Sequence, residues 1–383
     1  MAFVAVAALG VTACGSERGS GGSSSASTTS VPTTAPAPAD RVVDTGDPVA
    51  DEALESVATR VEELRGLRFL RPVRARVLPE PEFLAALGAT IDRDAAEVVA
   101  AGELLVLTGQ LPPGTDFLAA SRAGALSDVL GFYDPATGDL LVGGDPSTPA
   151  ARVVAAHELT HALDDQHDGR AEPVDDDATT ARSATAEGSA DRVMEQYLGG
   201  MDVRERAAAR AGMAATDRSV DLSGVPPEMW EGLEDLYSLG DAFVSRLVAR
   251  GGRRALDAAQ RRTDLTTAEV LHGPPAPEGV AAVTAPPADG PVLAEGVLGE
   301  LGLLGMLTSA VEPASARSAA AAWRGDRWVR FAASGGGGCL RMDLRLSPAG
   351  AEEAIATLQR WAEAGPGRTV ARQGGLVRVD SCR

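Results

Sequence analysis

The chain has 383 residues, 44% of them hydrophobic, and a formal net charge of −19, with arginine supplying all of the positive charge. That balance excludes the basic surface that nucleic acid or an anionic lipid face would need, while the apolar content is ordinary for a globular protein. Length and composition suit one large enzyme-like domain or two smaller ones.

Residues 2–11 form a hydrophobic run too short to span a bilayer, the pattern of a signal h-region. The run ends in Val11-Thr12-Ala13-Cys14, which resembles a bacterial lipobox with Cys14 as the lipidated residue, although no basic segment precedes it. Residues 15–40 are almost wholly Ser, Gly, Thr, Ala and Pro, the composition of a flexible tether. Together these features imply an exported protein, lipid-anchored to the outer face of the bacterial cytoplasmic membrane and touching lipid through its anchor only. An ordinary cleaved signal would account for the first feature alone.

Past the tether, residues 48–65 and 94–107 have helical periodicity, with a strand between them over 69–78. Two short apolar runs flank the turn Asp134-Pro135-Ala136-Thr137-Gly138-Asp139 and predict a β-hairpin over 131–142. Ser147-Thr148-Pro149 then signals a helix start, a capping hydroxyl followed by proline at the first helical position. The helix that follows is apolar nearly all round, which places it in a core. Asp164, Asp165, Asp168, Asp175, Asp176 and Asp177 read as a solvated acidic loop, with Ca2+ binding as the other reading. A second helix covers 178–198, and further helices fall near 203–214, 227–250, 252–262 and 296–311, broken by Pro/Gly-rich stretches at 273–291 and 312–315. Strands over 326–332 and 339–347, a helix over 347–364 and strands over 369–373 and 376–380 make a small C-terminal α+β module. Gly335, Gly336, Gly337 and Gly338 form a turn without the lysine of a phosphate-binding loop.

The motif that carries chemistry is His157-Glu158-Leu159-Thr160-His161 inside the apolar helix. At i and i+4 both imidazoles share a face and can reach one metal ion, while Glu158, one residue round, can hold the attacking water. Two histidines and a glutamate buried without a partner would be costly, so a ligand is expected there; a pair of hydrogen-bonded core histidines is the plainer reading. A catalytic zinc needs a third protein ligand. Glu187 on the second helix supplies it, and Asp191, one turn later, can accept the free ring N–H of a zinc histidine.

This HExxH followed by ExxxD on a later helix resembles the gluzincin zinc metallopeptidases, the thermolysin-like clan, and the stretch from His157 to Gln166 resembles poorly characterised exported bacterial proteins with a HELTHAL-DQ core. The resemblance covers roughly residues 130–200. It implies a mainly helical zincin-like core within an α+β fold over 41–312, followed by the module at 313–383. It implies Zn2+ held by His157, His161 and Glu187, Glu158 as general base, Asp191 behind a ligand, and a peptide or protein substrate. It also implies that an edge strand before the metal helix pairs with extended substrate; a hairpin that merely covers the helix is the equal alternative.

An oxyanion-stabilising donor is also expected. His272, read as a loop residue, is the first choice, with Tyr197, Tyr237 and His167 as the others. If Cys14 carries lipid, Cys339 and Cys382 remain as a disulfide pair in an oxidising compartment, the alternatives being two free thiols or ligands of a second zinc site, for which no CxxC or Cys-His spacing is present. A different class of function stays open: a noncatalytic exported lipoprotein whose zinc is structural.

Overall fold

The computed structural model describes residues 42–168, 172–215 and 221–383; Cys14, the signal run and the tether lie outside the described residues. The fold is α+β, with a small N-terminal sheet, a helical middle and a C-terminal sheet.

The first sheet is built from β1 (Val43–Asp44), β2 (Val73–Leu78), β3 (Gly131–Asp134) and β4 (Asp139–Gly143), in the order β1-β2-β4-β3. β1, β2 and β4 run parallel, and β3 closes the hairpin antiparallel to β4 with Tyr133 opposite Leu140. The hairpin expected from the two apolar runs and their turn is present, and β3 is an edge strand. Helix α1 (Pro48–Arg65) is capped by Asp47 and closed by Gly66, whose φ of 77° suits a residue without a Cβ. Its face of Leu54, Val57, Ala58 and Val61 packs with Val73, Leu140 and Val142 of the sheet and Ala156, Leu159 and Leu163 further on. Two helices not evident in the sequence, α2 (Glu80–Arg93) and α4 (Phe117–Asp128), flank α3 (Ala95–Thr108) and bury Phe83, Leu87 and Ala125 against Leu141.

The middle of the chain holds α5 (Pro149–His167), α6 (Asp176–Gly200), α7 (Val203–Ala214), α8 (Pro227–Gln260) and α9 (Thr267–His272). α8 joins what reads in the sequence as two helices: it bends at Gly251 and Gly252, and Gly252 has φ 64° and ψ −163°, a conformation open to glycine. α6 and α8 cross closely where Gly188 faces Gly240, backbone against backbone.

The C-terminal sheet is antiparallel, in the order β5-β6-β7-β9-β8, from β5 (Val292–Gly296), β6 (Trp323–Ala332), β7 (Gly338–Leu346), β8 (Arg368–Gln373) and β9 (Leu376–Cys382). It packs on α10 (Gly299–Thr308), α11 (Pro313–Ala320) and α12 (Ala351–Glu363). Cys339 and Cys382 are register neighbours joined by a disulfide. The helix expected near 296–311 is α10, and β5, which the sequence reading did not include, precedes it. Gly299 takes φ 73°, and a Cβ there would overlap the Asp177 carboxylate, so the chain turns where apolar periodicity alone suggests continuity. One hydrophobic cluster includes Val98, Leu107 and Phe117 together with Leu303, Met306, Trp328, Trp361 and Val379, so packing runs without a gap across residue 312. No described helix is long and apolar enough to cross a membrane.

Candidate metal centre

α5 begins as its sequence suggests: the Thr148 hydroxyl accepts from the Ala151 N–H at 3.3 Å and Pro149 opens the first turn. Its residues from Ala150 to Asp164 are buried almost all round. α6 is capped by Asp175, which accepts from the Ala178 N–H at 2.9 Å, and its small residues Ala184, Gly188, Ser189 and Ala190 let it lie close between α5 and α8.

Three nitrogen and oxygen atoms converge where these helices meet. His157 Nε2 and His161 Nε2 are 3.0 Å apart, and Glu187 Oε2 lies 3.3 Å from the first and 3.6 Å from the second. The edges of a tetrahedron with zinc-like bonds of ~2.05 Å measure about 3.3 Å, so the triangle has the size of one face of a four-coordinate site. The donor chemistry fits as well: two imidazole lone pairs and a carboxylate oxygen that is buried and accepts no hydrogen bond. The group could hold a metal ion, and among the described residues it is the one such cluster of three His, Cys, Asp or Glu ligand atoms.

The surroundings orient these donors. His157 Nδ1 is buried 3.1 Å from Asp191 Oδ1, and Nε2 is the ring nitrogen that faces His161 and Glu187. Glu158 is not one of the three converging ligand residues and accepts from the Tyr133 N–H at 2.8 Å. Burial would push both imidazoles down, yet Glu187 and Glu158, joined by Asp191 at His157, outweigh it and raise His157 and His161 above the ordinary histidine value. Burial would likewise raise Glu187, but the two imidazoles hold it well below the usual carboxylate range. The cluster is therefore an electrostatic well for a cation. Glu158 behaves differently: burial dominates and pushes its carboxyl up, against the pull of the two histidines and the Tyr133 amide.

The oxyanion donor expected from the sequence needs correction. His272 is the last residue of a helix, not a loop residue, and its Nε2 is held 2.6 Å from Glu300 Oε1. Arg246 bonds the carbonyl groups of Val270 and Leu271, and it stands about 14 Å of helix rise beyond Tyr237 on α8. His272 is not brought to the cluster. Tyr237 is: its hydroxyl lies near the Glu187 carboxylate, and burial together with the charges of Glu187, Asp191 and Glu158 pushes its ionisation up, keeping it a neutral donor. Tyr197 faces Arg152 and Glu205, and His167 bonds the Arg68 carbonyl group at 2.7 Å. The missed signals were short ones. Thr266-Thr267-Ala268-Glu269 forms a capping box that extends the helix to His272. Gly240, one turn past Tyr237, is the small residue that lets α8 meet α6.

The acidic stretch is not a solvated loop either. Asp164 is buried on α5, Asp175 caps α6, and Asp177 accepts from the backbone and hydroxyl of Thr267. No protein-family model matches the chain, and no curated protein and no solved structure is significantly similar to it. The geometry of the cluster therefore carries the functional argument.

Proposed function

We propose that the chain is a zinc-dependent metallopeptidase of gluzincin type, hydrolysing peptide bonds with Glu158 as general base. The observation that carries this reading is the triangle of His157, His161 and Glu187 with Glu158 beside it but outside the ligand set. A structural site has no need of a carboxylate next to its first histidine, whereas a hydrolase does.

When bound, zinc would polarise the substrate carbonyl and make a water acidic enough to deprotonate near neutral pH. His157, His161 and Glu187 would hold the ion, and Asp191 keeps the His157 ring turned so that Nε2 faces it. Glu158 takes the proton from the attacking water and hands it to the leaving amine. Its raised carboxyl moves toward the range where it can do both. Tyr237 supplies the neutral O–H that stabilises negative charge on the carbonyl oxygen. β3, an edge strand of the N-terminal sheet, touches Glu158 through its Tyr133 amide and is where an extended substrate would pair.

Metal analysis with a broad peptide-hydrolysis assay tests this on the native chain and on Glu158→Gln. About one equivalent of zinc in both, with cleavage by the native chain only and a loss of about 10²–10⁴-fold in the variant, is the expected result. One observation favours a second reading, a noncatalytic protein with structural zinc: His157, Glu158 and Glu187 are nearly closed off from solvent, and His161 keeps only 10% of its side chain exposed. Zinc in both proteins with cleavage in neither would establish that alternative. Lipid anchoring at Cys14 and export remain part of the proposal, supported by the lipobox-like residues and by the disulfide, which suits an oxidising compartment. Retention of Cys14→Ala in the membrane fraction would refute the anchor.

A further inference from the structure

Beside the metal ligands, one carboxylate ties together four helices with no solvent near it. Asp164 Oδ1 accepts from Arg65 Nε of α1 at 2.7 Å, and Oδ2 accepts from Ser189 Oγ of α6 and from Gln260 Nε2 of α8, each at 2.7 Å. Arg65 in turn donates to Gln260 Oε1 at 2.6 Å and pairs with Asp257 at 2.7 Å. Arg65, Asp164, Ser189 and Gln260 are all buried, Ser189 completely.

The placement of this knot relative to the metal ligands is what gives it a role. On α5, His157, His161 and Asp164 fall within about 60° of one another at 100° per residue, so they share a face. On α6, Glu187 and Ser189 are about 200° apart and project to opposite flanks. One face of α5 therefore touches α6 on both flanks, the metal ligands on one side of the crossing and the Asp164–Ser189 bond on the other. Two contacts on either side of a crossing fix its slide and its angle, where a single contact would leave a pivot. A buried ion pair is a poor device for stability, because desolvation offsets most of the attraction, and register is what such a network does supply. The 3.0–3.6 Å spacing among the ligand atoms depends on that register.

We propose that Asp164 and Ser189 are positioning residues for the metal centre, holding α5 and α6 so that Glu187 meets the two imidazoles. The inference rests on the reading of His157, His161 and Glu187 as ligands. The test measures zinc affinity by competition with a chromophoric chelator, and the visible spectrum of the Co2+-loaded protein, for the native chain, Ser189→Ala, Asp164→Asn and the double variant. Each single variant is expected to bind zinc about 10–100-fold more weakly, as for other groups standing behind ligands. The double variant should be no weaker than Asp164→Asn, since both changes break the same bond. A destabilised control in a core cluster that shares no residue with α5 or α6, Leu358→Ala on α12, should keep native affinity and the native Co2+ spectrum. Ser189→Ala removes one oxygen from a buried site and remains informative if Asp164→Asn does not fold. Native affinity and an unchanged spectrum in folded Ser189→Ala would overturn the positioning role. Failure of the native chain itself to bind zinc would instead remove the metal reading beneath it.

Discussion

Gly240→Ala tests how closely α6 and α8 must approach for Tyr237 to reach the cluster of His157, His161 and Glu187. A methyl group at Gly240 would overlap the Ala184 carbonyl group, and Gly188 lies directly opposite. These neighbours are backbone atoms and cannot rotate aside, so restoring ordinary contact takes roughly 1 Å of helix displacement. Overpacking of this kind costs about 1–3 kcal/mol, toward the upper end when backbone must move. Ala for Gly in a helix returns about 1 kcal/mol, which leaves a net destabilisation of about 1–2 kcal/mol. The matched control is Gly199→Ala on α6, where a Cβ meets nothing within 4 Å; it should stabilise by up to about 1 kcal/mol. Urea unfolding of the two variants beside the native chain reads both signs. Stabilisation by Gly240→Ala equal to that of Gly199→Ala would refute the close crossing.

Tyr237→Phe should keep native zinc affinity and lower kcat by about 10²–10³-fold, while His272→Ala should leave kcat and metal content within about twofold; the reverse pattern would restore His272 as the oxyanion donor. Cys382→Ser opens a loop of sequence separation 43 and should cost roughly 4 kcal/mol on the chain-entropy account, read as a lowered unfolding midpoint that reductant no longer shifts. Burial pushes Asp176 and Asp177 up to about 7 and Asp326 up to about 6, against an ordinary 3.8. The native chain then binds more protons than the unfolded one between those values. Stability from this cluster is full below about pH 4 and is lost as pH rises through 6 to 7. Asp176→Asn should accordingly gain stability over the parent at pH 8 and not at pH 4, and equal urea midpoints at pH 8 would contradict that.

Helix α5 is legible because its signals are local: a capping Thr148, a proline in the first turn and two histidines one turn apart. Glu187 and Asp191 were legible because a second helix must repeat the same face to meet the first, and they lie 3.3 Å and 3.1 Å from His157. Tyr237 can be named from the sequence but not chosen over His272, since nothing near it tells which turn of α8 faces α6; that depends on Gly240 meeting Gly188 across the crossing. Asp164 was misread for a related reason. A run of aspartates looks solvated until Arg65, distant in sequence, is seen to reach it. β5 was hidden because Val292, Leu293 and Ala294 continue into the apolar run of α10, and only the turn at Gly299 separates strand from helix.

Anomalous diffraction at the zinc edge from crystals of the zinc-loaded protein addresses the metal centre most directly. A single peak about 2 Å from His157 Nε2, His161 Nε2 and a Glu187 carboxylate oxygen is expected, with the Glu158 carboxylate outside bonding distance. A peak elsewhere on the chain, or Glu187 turned away from a metal held by the two histidines alone, would contradict the account.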